Sequence, residues 1–259
     1  MAEIKAIPTM YGGILFRSRL EARLAVLFDA CGVDWEYEPE GFDLGDGIWY
    51  LPDFLLHNVL IQCGGHYDED GEKWVADFVV SDLYVEAKGK MTQADAEKIN
   101  RLAGDFVGDE ITDESDNTWS VRLRERPTYV VGQLPRGDCF DDIIMTASTN
   151  IHRLLEGHDL YQTATETEVP KMLCISRDMH LCLVNVGHAD CDSIAREITV
   201  LLYQKVNNVL FDHGQTPSIW APYWELRDSI RDLCLDGRWD GDDRLVGSVH
   251  KTNKTPEEA

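Results

Sequence analysis

Apolar residues first recur at helical spacing between residues 18 and 31, where Leu20, Leu24, Leu27, Phe28 and Cys31 share a face. Gly32 follows as a closing residue, so the spacing predicts an amphipathic helix. Two aromatic and β-branched runs, over 35–42 and 48–56, flank Asp46-Gly47 and predict a hairpin. A polar, glycine-containing excursion over 57–74 comes next, then a third strand over 82–88. Thr92 is placed to cap a helix that runs to about 106, and 121–123 and 128–131 predict further strands. Helix, three strands, helix, strand is the order of an α/β domain with a mixed sheet. Past Pro135 the pattern weakens to a hairpin (173–175 and 181–186) and a long helix (193–213) with Ile194, Ile198, Leu201, Leu202 and Val209 on its apolar side. The chain therefore divides into a core over 1–136, a C-terminal α+β region over 137–247, and a polar tail over 248–259 expected to be disordered.

A chain of 259 residues with 44% hydrophobic content buries an ordinary core, as one large domain or as a catalytic domain with an appendage. No apolar run approaches the ~18 residues of a membrane span, and the first residues carry no signal-peptide pattern. The expectation is a cytoplasmic protein without a membrane partner. Seven scattered cysteines fit reduced thiols there better than a disulfide framework.

Charge complicates the picture. Lys plus Arg is 24 against 47 for Asp plus Glu, a formal balance of -23, which works against unselective binding to phosphate backbones. The basic residues are nevertheless clustered. Arg17, Arg19 and Arg23 crowd the first helix, and Arg122, Arg124 and Arg126 alternate along one predicted strand. Residues two apart face one way, so the second set lines either a DNA path or a solvated strand face.

The same two-residue rule puts Glu86 and Lys88 together while Val85 and Ala87 turn to the core. A carboxylate beside an ammonium suits metal-assisted phosphodiester hydrolysis: the acid holds Mg²⁺, and the lysine positions the attacking water or balances developing charge. Upstream, Tyr50-Leu51-Pro52-Asp53-Phe54 places one acid in an apolar strand, where Pro52 marks a strand start, an edge or a bulge. A buried Asp53 needs a partner, either a divalent cation or a backbone N–H.

These segments occur in a recognisable succession. Tyr11-Gly12-Gly13, Phe16-Arg17-Ser18-Arg19-Leu20-Glu21-Ala22-Arg23, the stretch 35–44, Trp49-Tyr50-Leu51-Pro52-Asp53-Phe54 and Val85-Glu86-Ala87-Lys88-Gly89 follow one another in order. Together, over roughly residues 8–135, they resemble a PD-(D/E)XK nuclease-like family of phages and bacteria. The resemblance implies a restriction-endonuclease-like core and a deoxyribonuclease dependent on Mg²⁺ or Mn²⁺. It also implies Asp53 and Glu86 as metal ligands, Lys88 as the catalytic lysine, and Glu21 on the first helix completing the site. Glu21 equally fits the capping box Ser-x-x-Glu that starts at Ser18.

The long stretch between Asp53 and Glu86 departs from the short turn usual in that family. It carries Trp74-Val75-Ala76-Asp77-Phe78, which makes Asp77 a second candidate ligand. Asp53 belongs to the fuller match, and 57–80 is then an insertion near the mouth of the site. Cys174, His180, Cys182, His188 and Cys191 could ligate zinc, but their spacing matches no common finger, and structural thiols are the favoured reading. DNA is the expected partner, with the C-terminal region available for self-association or a protein partner. The alternative is a non-catalytic interaction protein or DNA mimic that keeps the nuclease fold and uses its acidic surface.

Overall fold

A computed structural model describes residues 6–67, 70–71, 74–107, 112–113, 118–120, 123–155, 171–178, 180–186, 194–209 and 211. The chain opens with a hairpin, β1 (Thr9–Tyr11) and β2 (Ile14–Phe16), that turns through Gly12 and Gly13 at positive φ. Helix α1 (Arg19–Ala30) follows, capped by the Ser18 hydroxyl, which accepts from the Glu21 N–H. Ala22, Leu24, Ala25, Leu27 and Phe28 form its buried face, and Gly32 at φ 67 ends it.

β3 (Trp35–Tyr37), β4 (Phe42–Asp43), β5 (Trp49–Tyr50), β6 (Phe54–Tyr67) and β7 (Trp74–Ala87) come next. The hairpin about Asp46-Gly47 forms in two pieces, with Phe42 opposite Tyr50 and Trp35 opposite Leu56, interrupted where Glu38 adopts φ 48. β6 and β7 make one long hairpin, paired from Phe54↔Val85 out to Tyr67↔Trp74. The insertion expected over 57–80 is thus the far half of that hairpin, and the strand expected to begin at about Asp82 begins at Trp74. Register shifts between Leu56 and Val59 and between Gln62 and Gly64 hide it, because each breaks the two-residue alternation that reveals a strand.

Helix α2 (Gln93–Ala103) carries a capping box between Thr92 and Asp95. β8 (Phe106–Val107), β9 (Thr112–Asp113), β10 (Thr118–Ser120), β11 (Leu123–Arg124) and β12 (Thr128–Val131) lead to α3 (Phe140–Leu155). The hairpin β13 (Lys171–Ile175) and β14 (Leu181–Asn185) and helix α4 (Arg196–Asn207) complete the described elements. Helix α4 is shorter than the span expected over 193–213, and the polar tail over 248–259 lies outside the described residues.

The fold is mixed α/β. In its main sheet β12 runs parallel to β7, and β7 antiparallel to β6. The other edge of β6 is shared in succession by β3, β14 and β10. Residues assigned to a C-terminal region from 137 onward therefore enter the same sheet, and they join α1, β6 and β7 in one hydrophobic cluster. β12 separates two clusters by alternation: Tyr129 and Val131 enter the large one, and Val130 a smaller one with Tyr50, Met91, Ala96, Ile99 and Leu102. Among the described residues no helix is long and apolar enough to cross a membrane.

Candidate active site

The pairing of Phe54 with Val85 sets the neighbouring residues, Asp53 and Glu86, beside each other where β6 begins and β7 ends. Both carboxylates are buried, at 3% and 2% exposure. The Asp53 N–H donates to Glu86 Oε2 at 3.4 Å, and the Ala87 N–H donates to Asp53 Oδ2 at 2.7 Å. Burial and the charge of Glu86 push the Asp53 carboxyl up to about 7, against the Ala87 N–H and the Arg17 charge. Lys88 Nζ lies 2.8 Å from Glu86 Oε1 and 3.6 Å from Asp95 Oδ1. Burial lowers the affinity of that amine for its proton, but Glu86, Asp95 and Asp53 outweigh burial and raise it. Lys88 is thereby held as an ammonium.

Glu21 enters from the first turn of α1. Its Oε1 accepts from the Ser18 hydroxyl at 2.7 Å; its Oε2 accepts from the Tyr37 hydroxyl at 2.7 Å and the Arg17 N–H at 3.0 Å. Ser18 is the helix cap; the Glu21 carboxylate takes the N–H of the residue before it, Arg17, and faces the site, since its charge acts on Asp53. Arg17 closes the group. Its Nη2 pairs with Asp53 Oδ1, and its Nε lies 3.1 Å from Glu38 and 3.8 Å from Glu21. Burial opposes its charge, and Asp53 and Glu38 more than offset that, so the guanidinium is firmly cationic.

Asp77 is not brought to this place. It pairs with Gly64 in the far half of the hairpin, 47% exposed at its side chain and 3.4 Å from His66 Nδ1. The remaining arginines divide. Arg19 and Arg23 lie one turn apart on α1, near enough to Arg136 that its charge and that of Arg19, after burial, lower the Arg23 pKa. Helical geometry puts them about 160° round α1 from Glu21, away from the carboxylates. Arg124 donates to the Gly104 carbonyl and lies over the Phe106 ring, while Arg126 donates to the Leu102 carbonyl. Both thus tie down the end of α2, which argues for anchoring over a DNA path. Arg122 lies outside the described residues.

Cys174 and Cys182 are opposed across β13 and β14 and fully buried, with the Cys182 thiol donating to the Cys174 carbonyl. That is ordinary core packing. Cys191 and His188 lie outside the described residues, and His180 stands before β14, its N–H donating to Ser176 Oγ.

Sequence reasoning missed Tyr37, Glu38, Tyr50 and Asp95. Tyr50 is buried against Glu86, and burial together with the Glu86 charge holds its phenol well above the usual range. The cap of α2 was legible at Thr92, but the double use of Asp95 was not, because it is not local: Asp95 accepts from the Thr92 N–H with one oxygen and approaches Lys88 with the other.

Among the described residues no group of three His, Cys, Asp or Glu side chains is arranged to hold a metal ion. The donor set still suits a hard cation. Two adjacent buried carboxylates, one pushed up to about 7, form an environment that a divalent ion relieves. Mg²⁺ commonly takes one or two protein carboxylates and fills its other positions with water and phosphate oxygens. No protein-family model, curated protein or solved structure matches the chain.

Proposed function

We propose that the protein is a metal-dependent deoxyribonuclease with a restriction-endonuclease-like core, acting in phage or bacterial DNA processing, recombination or defence. The observation that carries this reading is the buried Asp53–Glu86 pair with Lys88 hydrogen-bonded to Glu86. The order α1, antiparallel β3, β6 and β7, then α2 and parallel β12 supports it.

Asp53 and Glu86 would hold Mg²⁺ or Mn²⁺, which when bound polarises a phosphodiester and lowers the pKa of water. Lys88, kept protonated by its two acidic neighbours, serves as a cation that steadies charge on the phosphate oxygens. This favours charge stabilisation over proton abstraction for the lysine. Glu21, held by Tyr37 and Ser18, would take a hydrogen bond from a water or from a cation's hydration shell. Tyr50, which lies near both carboxylates, and Pro52, the residue before Asp53, are themselves buried. The balance of -23 favours a second reading, an acidic interaction protein or DNA mimic that keeps the fold.

Purified protein incubated with circular and linear DNA in Mg²⁺, Mn²⁺ or EDTA separates these readings. Nicked or linearised circles in the metal arms alone are expected for an endonuclease, and loss of linear DNA alone for an exonuclease. No cleavage with either metal, and no metal-dependent shift in melting, would leave the interaction reading.

A further inference from the structure

We infer that Arg17 is a built-in counter-ion of the carboxylate pocket, which must leave Asp53 for a divalent cation to bind there and which then serves the substrate phosphate. The inference rests on the nuclease reading above. Arg17 stands in the short connection between β2 and α1, its backbone N–H fixed by Glu21 at 3.0 Å. Its side chain spans two environments. Nη2 reaches inward to Asp53, whose carboxylate is nearly closed to solvent, while Nε holds Glu38, a third exposed, at 3.1 Å. The arginine side chain itself is 56% exposed.

Charge decides what this arrangement does. Glu21, Glu38, Asp53 and Glu86 bring four carboxylates to the pocket, and among the described residues Arg17 and Lys88 are the cations paired with them. A divalent cation held by Asp53 and Glu86 would share the Asp53 carboxylate with the guanidinium, and two cations on one buried carboxylate repel. Lys88 has no equivalent way out, since it is only 25% exposed and clasped between Glu86 and Asp95. Arg17 has one. Glu38 tethers its Nε at the rim, so the inner end of the guanidinium can turn away from Asp53 without surrendering its outer partner. Freed, its planar fork of donors suits a phosphate oxygen pair beside the same carboxylates.

Metal and DNA are then linked through one side chain. Metal binding releases Arg17 for the phosphate, and a phosphate that engages Arg17 vacates Asp53 for the metal, so each tightens the other by the same factor.

The test measures binding alone. Mn²⁺ affinity of wild type, Arg17→Gln and Arg17→Lys is determined by titration calorimetry at pH 8, with and without a non-hydrolysable phosphorothioate duplex; duplex affinity is measured with and without Mn²⁺. Arg17→Gln is expected to bind Mn²⁺ about threefold or more tightly without DNA, since a competing cation is gone. It should bind the duplex about tenfold more weakly with Mn²⁺ present, and lose the mutual enhancement seen in wild type. Arg17→Lys keeps the charge without the fork, so it should hold Mn²⁺ affinity near wild type while losing part of the duplex affinity; it carries the test if Arg17→Gln does not fold. Mn²⁺ affinity unchanged or weakened in Arg17→Gln, or undiminished mutual enhancement, overturns the counter-ion role and leaves the nuclease reading standing. Absence of Mn²⁺ binding by wild type overturns both.

Discussion

Lys88 makes the sharpest residue-scale prediction, because its neighbours fix its protonation state. With Glu86 at 2.8 Å and Asp95 at 3.6 Å, the proposed function gives the ammonium the task of stabilising charge and leaves metal ligation to the carboxylates. Lys88→Ala should therefore reduce DNA cleavage by about 100-fold or more while Mn²⁺ still shifts the melting temperature. Glu86→Ala should lose the cleavage and the metal-dependent shift together. It should also raise the metal-free melting temperature, since it relieves the repulsion that pushes Asp53 up to about 7. Cleavage by Lys88→Ala at the wild-type rate would place the chemistry elsewhere. These residues were legible because a strand's alternation puts Glu86 and Lys88 on one face whatever surrounds it. Tyr50 was not, since an aromatic in a strand reads as core until the fold shows a carboxylate beside it. Lys171 was equally hidden: it is fully buried, its amine has no hydrogen-bond partner among the described residues, and burial pulls it down to about 7.

At the scale of elements, His57 joins three strands. It stands on β6 at the register shift, with Nε2 3.0 Å from Glu36 on β3 and Nδ1 3.2 Å from Asp82 on β7. Burial opposes a charge on the imidazole, but the hydrogen bonds to Glu36 and Asp82 and the charges of Asp82 and Asp34 outweigh it, so its pKa is raised above 6.5. A raised folded-state pKa means the folded protein binds the proton more tightly than the unfolded chain. The stabilisation is then complete below about 6.5 and is lost as pH climbs through the higher folded value. Its partners are half exposed, so about 1 kcal/mol or less is at stake. Thermal melts at pH 6 and pH 8 should show wild type losing more stability than His57→Gln across that interval, and parallel curves would remove the clamp. The element the sequence concealed most fully is α3. Phe140, Ile143, Ala147 and Leu154 do lie on one buried face, but Thr146, Thr149 and Asn150 are poor helix formers and Met145 faces solvent. There the sheet and α4 supply the stabilisation that local propensity lacks.

At the scale of the molecule, the second half of the chain completes the first. β14 pairs with the middle of β6, and Met172, Leu173, Ile175, Leu181, Leu183 and Val184 are almost wholly buried in the shared cluster. At about 1.5–3 kcal/mol each, their burial rivals the ~5–15 kcal/mol of net stability usual for a domain. A chain ending at residue 136 should therefore lack a cooperative thermal transition, although it contains every proposed catalytic residue. A sharp transition in that fragment would show that its core suffices. The shared sheet was invisible in sequence because it depends on which edge β14 chooses, and strand pairing between distant segments leaves no local periodicity. Net charge acts on this single body as a whole. At -23 the surface repels itself, and the screening length shrinks from about 30 Å in 10 mM salt to about 8 Å in 150 mM. Adding NaCl over that range should raise the melting temperature of the metal-free protein. The same salt should weaken duplex binding, because few cations meet the phosphates and each contact releases a counter-ion; the log–log slope is about -0.9 per contact. Arg17 and Lys88 are the cations proposed to meet the phosphate, so a slope of roughly -2 is expected. A steeper slope would mean that a basic surface outside the described residues carries the DNA. A melting temperature that fell with salt would mean that attractive pairs such as Arg17–Asp53 and Lys88–Glu86 outweigh the net repulsion.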